Sequence, residues 1–168
     1  LKLSRELGIR LIGPNCLGLY HPREGISFGY DLPKESGSVG LASQSGGGAA
    51  IFVELAALRG IRFSKVISYG NALDFNECDY LNYFSQDPET KIILMYVEGV
   101  RDGERFFDAL RQAAATKPVI VLKGGRGESG TRATASHTAS LAGSMKIWET
   151  MVTQAGAIPA RSQDEMMD

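Results

Sequence analysis

The sequence predicts an α/β domain: a doubly wound parallel sheet with helices on both faces. Short apolar runs alternate with amphipathic ones from Ser38 onward, the rhythm of strands joined by crossover helices. Several of those runs, Ile92 to Val97 among them, are apolar throughout, as strands covered on both faces are. The resulting order, β-α-β-α-β-α-β-α-β, fits a flavodoxin-like fold. At 168 residues the length suits one domain with an attached fragment.

Each element has its own signal. Ser38 to Ser43 reads as the first strand. Gly46 to Arg59 reads as a helix whose core face is Ile51, Leu55 and Leu58, at the i, i+4, i+7 spacing, with Gly60 as its stop. Phe63 to Ser68 is the next strand. Asn76 to Gln86 is the second helix, capped by Asn76 or Asp74, and Asp87-Pro88 is a turn. Lys91 to Val97 is a strand, and Gly103 to Ala115 a helix entered from Asp102. Pro118 to Leu122 is the fourth strand, Ser140 to Gln154 the last helix, and Ala157 to Pro159 a closing short strand. Residues 1–35 fall outside this pattern. Leu1 to Gly8 reads as the end of a helix, Ile9 to Ile12 as a strand, and the rest as turn and loop. We expect these residues to be the tail of a preceding domain plus a linker, and residues 36–168 to be the flavodoxin-type domain. With Leu1 in place of Met and no signal-peptide pattern, the chain reads as a piece of something longer.

Composition narrows the function classes. Hydrophobic residues make up 43% and charged residues 22%, which excludes a disordered chain. A net charge of -1 gives no electrostatic footprint for nucleic acid. No apolar run approaches the ~18 residues of a membrane span. Two cysteines, Cys16 and Cys78, make no disulfide framework, so a cytoplasmic setting is expected. With two histidines and two cysteines scattered along the chain, no metal site is expected.

In a doubly wound sheet the site lies at the carboxyl ends of the strands, where four constellations stand out. Ser43, Gln44, Ser45, Gly46 and Gly47 join the first strand to the first helix. Unpaired N–H groups at a helix start, with the macrodipole behind them, favour an anion such as phosphate. A Ser-capped glycine turn explains the same residues. So does a near-match to a nucleophile elbow, Ser43-x-Ser45-x-Gly47, which would make Ser45 a hydrolase nucleophile with Asp102 and His137 as partners. Gly125 to Gly130 matches G-x-G-x-x-G, but the residues after it lack the helical periodicity a dinucleotide fingerprint needs. Arg126 and Arg132 flank the loop that carries His137, as solvated side chains or as phosphate contacts. His137 lies in a run of small residues before the last helix, either as a solvated ring or as a nucleophile. Glu98 follows an apolar strand. It is a strand-end carboxylate in water, a cap for the helix that follows, or the partner of a histidine ring N–H, leaving the other ring nitrogen free to attack.

Five ordered segments carry a family resemblance: Gly13-Pro14-Asn15-Cys16-Leu17-Gly18, Ser43-Gln44-Ser45-Gly46-Gly47, Ser68-Tyr69-Gly70-Asn71, Tyr96-Val97-Glu98-Gly99, and Ala135-Ser136-His137-Thr138 with Leu141-Ala142-Gly143. Lys117-Pro118 also fits. Together they resemble the ADP-forming (NDP-forming) acyl-CoA synthetases and are similar to the succinyl-CoA synthetase alpha subunit. The resemblance implies interconversion of acyl-CoA, ADP and phosphate with a carboxylic acid, coenzyme A and ATP, through an acyl phosphate and a phosphohistidine. It implies that His137 is the phosphohistidine and Glu98 the glutamate that orients it. It also implies that Ser43 to Gly47 bind phosphate, and that Asn15 and Cys16 lie near the CoA thiol end. The implied partners are a CoA-binding domain and an ATP-grasp domain holding ADP or ATP with Mg²⁺, fused or as a separate subunit; a homo-oligomer is compatible. Ala139 stands where the family usually has Gly. A non-catalytic alternative is an acyl-CoA-sensing domain of a protein acetyltransferase.

Overall fold

The carboxyl ends of five parallel strands converge on one edge of a six-stranded sheet in the computed structural model, which describes residues 1–29, 31–125 and 145–168. The strands are β1 (Gly18–Tyr20), β2 (Val39–Ser43), β3 (Phe63–Ser68), β4 (Ile92–Val97), β5 (Val119–Lys123) and β6 (Ile158–Ala160). Their order across the sheet is β1-β3-β2-β4-β5-β6. Strands β2 to β6 pair in parallel. Counted from β2, they stand in the order 2-1-3-4-5, the flavodoxin-like winding.

The helices are α1 (Lys2–Glu6), α2 (Gly46–Leu58), α3 (Glu77–Gln86), α4 (Gly103–Ala114), α5 (Met145–Gln154) and α6 (Gln163–Met167). One face of the sheet packs against α3, α4 and α5 through Leu81, Phe84, Phe106, Leu110 and Val152. The other packs against α2 and α6 through Phe52, Val53, Ala56 and Met166. Side-chain caps fix where α2, α3, α4 and α6 begin. The Ser45 Oγ accepts from the Gly48 N–H, and the Asp102 carboxylate accepts from the Arg105 N–H. At α3, Asn76 and Asp79 form a reciprocal capping box.

Four expectations are corrected. The stretch read as loop after Asn15 contributes β1, which pairs antiparallel with β3, so the sheet is mixed. Tyr20 and Leu32 from the same stretch are buried in the core. Residues 9–12 are not a strand; the Leu11 N–H and the Arg10 guanidinium both donate to the Asp74 carboxylate. Helix α2 presents the opposite face to that expected: Ile51, Leu55 and Leu58 are 54%, 41% and 84% exposed, while Ala49, Phe52, Val53 and Ala56 are buried. Its sequence is apolar nearly all round, so two registers of the same period compete. The alanine-bearing face wins because it lets the helix close onto β2 and β3. Finally, α6 was not expected. Strand β3 and the caps Asn76 and Asp102 match their expectations, and other boundaries differ by a residue or two. The start of the last helix, Ser140 to Ser144, lies outside the described residues. No described helix is long and apolar enough to cross a membrane.

Candidate functional site

The chain winds in opposite directions from β2 and β4, which are neighbours in the sheet. At such a switch point the two following connections diverge and leave a crevice beyond the strand ends. The residues closing these strands, Ser43 to Gly47 after β2 and Glu98 after β4, therefore share one crevice.

On the β2 side, every backbone N–H from Gln44 to Gly48 is accounted for except two. The Gln44 N–H donates to the Tyr96 carbonyl, the Ser45 N–H to the Ser43 Oγ, and the Gly48 N–H to the Ser45 Oγ. Among the described residues, the N–H groups of Gly46 and Gly47, the first two of α2, have no partner. They are two of the four donors a helix start leaves unsatisfied. Ser43 is buried, and its hydroxyl donates to the Ser45 carbonyl, so it shapes the turn. The candidate anion cradle is thus narrower than the five residues expected: two amides, with the Ser45 hydroxyl proton beside them.

Gln44 faces the other strand. Its Oε1 accepts from the N–H groups of Glu98 and Gly99, the latter at 2.9 Å, and its Nε2 donates to the Gly99 carbonyl at 3.0 Å. On the far side of the same turn, the Lys123 Nζ donates to the Glu98 carbonyl and lies 3.3 Å from the Gly124 carbonyl. Glu98 itself is half-buried. Its carboxylate has no hydrogen bond or ion pair among the described residues. Gly124 is needed beside it: a Cβ there would stand 2.7 Å from the Tyr96 hydroxyl and 3.1 Å from the Glu98 Cγ. Burial lowers the pKa of the Lys123 ammonium, and the nearby Glu98 charge opposes that shift. The ammonium also stands 5.7 Å from the centre of the Trp148 ring.

The Gly13 to Leu17 turn closes the β3 side. The Asn71 N–H donates to the Pro14 carbonyl and the Leu73 N–H to the Gly13 carbonyl. The Asn15 side chain reaches the Asn71 side chain at 3.4 Å. The Leu17 N–H donates to the Ser68 Oγ, which brings the turn against the start of α2. A Cβ on Gly46 would lie 3.1 Å from the Leu17 Cγ, so glycine allows that approach. Asn15 is exposed and Cys16 half-buried; the Cys16 Sγ lies 3.8 Å from the Ile12 carbonyl. The structure thus gathers Asn15, Cys16, Ser43, Gln44, Ser45, Gly46, Gly47 and Glu98 at one edge.

The remaining candidates divide. His137, Arg126, Arg132 and most of the G-x-G-x-x-G stretch lie outside the described residues. The hydrolase geometry is not present at Ser45. Its backbone is in an ordinary extended conformation, φ −95° and ψ 121°, and its Oγ caps α2, whereas a nucleophile elbow needs a sharp, strained turn. Asp102, the proposed acid, caps α4. The other histidine, His21, lies 3.3 Å from Glu89, away from the crevice. Among the described residues no His, Cys, Asp and Glu cluster could hold a metal ion, and both cysteines are free. Burial pushes the Cys78 thiol up to about 11. Sequence reasoning missed Lys123. The signal was a lysine closing the apolar run that ends level with Glu98 in the neighbouring strand, Val97 pairing with Lys123.

The chain is similar to several known proteins. An acetate–CoA ligase (ADP-forming) II alpha subunit from Pyrococcus furiosus is 40% identical over 167 residues, covering 99% of this chain and 36% of that protein. A 4-hydroxybutyrate–CoA ligase (ADP-forming) from Nitrosopumilus maritimus is 35% identical, covering 100% of this chain and 25% of that protein. The chain therefore spans about a quarter to a third of the length of such relatives. Among solved structures, a dinucleotide-forming acetyl-coenzyme A synthetase 1 from Ca. Korarchaeum cryptofilum, in complex with phosphate and ADP, superposes with a TM-score of 0.87. It is 35% identical, with 99% of this chain and 36% of that chain covered. The family model described as the succinyl-CoA ligase like flavodoxin domain matches residues 36–168. By that match, most of this chain belongs to the family of succinyl-CoA ligase like flavodoxin domains.

Proposed function

We propose that this chain is the phosphate-handling part of an ADP-forming acyl-CoA ligase, acting in the cytoplasm with a CoA-binding domain and an ATP-grasp domain. The observation that carries the reading is the pair of N–H groups on Gly46 and Gly47 that have no partner among the described residues, at the same switch-point crevice as Glu98, whose carboxylate has none among them either. In this reading phosphate rests on the α2 start, where the amides and the helix dipole offset its charge. A phosphate oxygen attacks the thioester carbonyl carbon. The C–S bond breaks, the CoA thiolate leaves and takes a proton, and an acyl phosphate remains. A ring nitrogen of His137 then attacks phosphorus, and the P–O bond to the acyl group breaks to release the carboxylate. Glu98 accepts the proton-bearing ring nitrogen as a hydrogen-bond donor, fixing the tautomer and offsetting the charge that develops. The phosphoryl group passes to ADP on the ATP-grasp domain, where Mg²⁺ would shield the nucleotide phosphates. The segment ahead of β1 joins the CoA-binding domain to this one, and Asn15 and Cys16 stand where the thiol end of CoA would reach the cradle.

The test is ATP synthesis by the full-length protein supplied with acetyl-CoA, ADP, phosphate and Mg²⁺. The reading predicts equal yields of ATP and free CoA. Acyl-CoA that binds but stays intact, with no ATP formed, would overturn it in favour of an acyl-CoA-sensing domain.

A further inference from the structure

Glu98 lies just past the end of β4, on a turn that belongs to no helix or strand. Its peptide is nevertheless held from both sides. The Glu98 and Gly99 N–H groups both donate to Gln44 Oε1, and Gln44 Nε2 returns a bond to the Gly99 carbonyl. The Glu98 carbonyl accepts from the Lys123 Nζ. Both holders are themselves fixed by the sheet. Gln44 is tied to β4 by its own N–H on the Tyr96 carbonyl, and Lys123 is paired in register with Val97. The Gln44 carboxamide places all three of these bonds on this one turn, and the Lys123 ammonium divides between the Glu98 carbonyl and the adjoining Gly124 carbonyl.

We propose that Gln44 and Lys123 are positioning residues for Glu98, a clamp that aims its carboxylate into the crevice. The proposal rests on the reading of Glu98 given above, and it assigns Gln44 a task other than binding phosphate. A carboxamide suits it because the turn presents two donors and one acceptor, and an amide carries an acceptor oxygen with two lone pairs and an N–H donor on the same planar carbon at any ordinary pH. A lysine suits the other side because a flexible stem brings a compact ammonium to a carbonyl.

The experiment is a pair of double-mutant cycles in the full-length ligase, with ATP synthesis from acetyl-CoA, ADP and phosphate as readout. Gln44→Met and Lys123→Met are each made alone and with Glu98→Ala. A clamp predicts that each single variant lowers kcat by roughly 10- to 100-fold, with the KM values for acyl-CoA and phosphate within about twofold of the wild type because the cradle is intact. In the Glu98→Ala background the same substitutions cost nothing further. Lys123→Arg restores part of the rate. Should Gln44→Met fail to fold, Gln44→Glu replaces it. That variant keeps the acceptor for both N–H groups and sets a carboxylate oxygen against the Gly99 carbonyl. Equal losses with and without Glu98, or single variants with wild-type kcat, overturn the clamp and leave the ligase reading standing. A wild type that makes no ATP overturns both.

Discussion

Replacing Gly46 by proline separates the anion cradle from the fold that carries it. Gly46 is the first residue of α2, and the residue before it, Ser45, is extended at φ −95° and ψ 121°. Proline is favoured at the first helical position, and the residue before it is pushed to extended conformations. The backbone therefore already suits it, and a less flexible unfolded chain contributes about 0.4–1 kcal/mol of stability. Opposing this, the new Cβ stands 3.1 Å from the Leu17 Cγ, and Leu17 is 45% exposed and free to give way. Gly46→Ala carries the same Cβ and keeps the N–H, so it is the control. The difference between the two variants is one amide hydrogen offered to an anion. A hydrogen bond to a charged group contributes about 1.5–3 kcal/mol, which corresponds to roughly a 10- to 150-fold loss of phosphate affinity. Phosphate affinity measured by calorimetry, with thermal melts alongside, reads both quantities. The expected result is melting temperatures within ~4 °C of each other and much weaker phosphate binding by Gly46→Pro alone. Equal affinities in the two variants would refute the assignment of the α2 start as the phosphate cradle.

Three further outcomes follow from the packing and the charges. Asn76→Ala removes the acceptor for the Cys78 N–H and half of the α3 capping box, and should cost about 1 kcal/mol, read by denaturant titration with an unchanged m-value. Phe84→Ala empties a fully buried position between β2 and α3. It should cost about 3–5 kcal/mol, lowering the melting temperature by roughly 6–20 °C, whereas Leu58→Ala at the exposed face of α2 should leave it nearly unchanged. The Lys65 ammonium bridges Asp87 and Glu89. Burial opposes ionisation of Asp87, but the Thr90 hydroxyl and Lys65 outweigh it and hold its pKa below the ordinary value; hydrogen bonds from Lys65 and Arg23 lower that of Glu89. A carboxylate depressed in the folded state contributes stability that is present above the unfolded pKa and lost as pH falls through the folded one. The stability gap between wild type and Lys65→Met should therefore be full at neutral pH and close below about pH 4. A gap that stays constant down to pH 2 would contradict that origin.

The parallel sheet was legible because its strands are apolar without alternation and its helices carry caps. Asn76 and Asp102 mark their helix starts chemically, and the structure uses both side chains as caps. Strand β1 was not legible: three residues, Gly18 to Tyr20, carry no periodicity, and only pairing with β3 makes them a strand. Helix α6 did leave a signal, Ser162 followed three residues later by Glu165, with the Ser162 Oγ accepting from the Glu165 N–H; five residues held little else. The buried face of α2 was misread because an almost wholly apolar helix offers no polar side to exclude, so sheet contact decides. At the site, residue type and spacing brought Ser43 to Gly47 and Glu98 to the same edge. The division of labour among them was hidden: that Gln44 turns to Glu98 and that Lys123 joins it depend on the lateral order of β2, β4 and β5, which spacing along the chain does not encode.

The phosphohistidine reading is tested most directly by the site and chemistry of phosphorylation in the full-length protein. Incubated with radiolabelled ATP and Mg²⁺, it should take up an acid-labile, base-stable phosphate that maps to His137, is released by ADP, and is absent from His137→Ala. A His137→Ala protein labelled as strongly as the wild type, or a label stable to acid, would contradict the account.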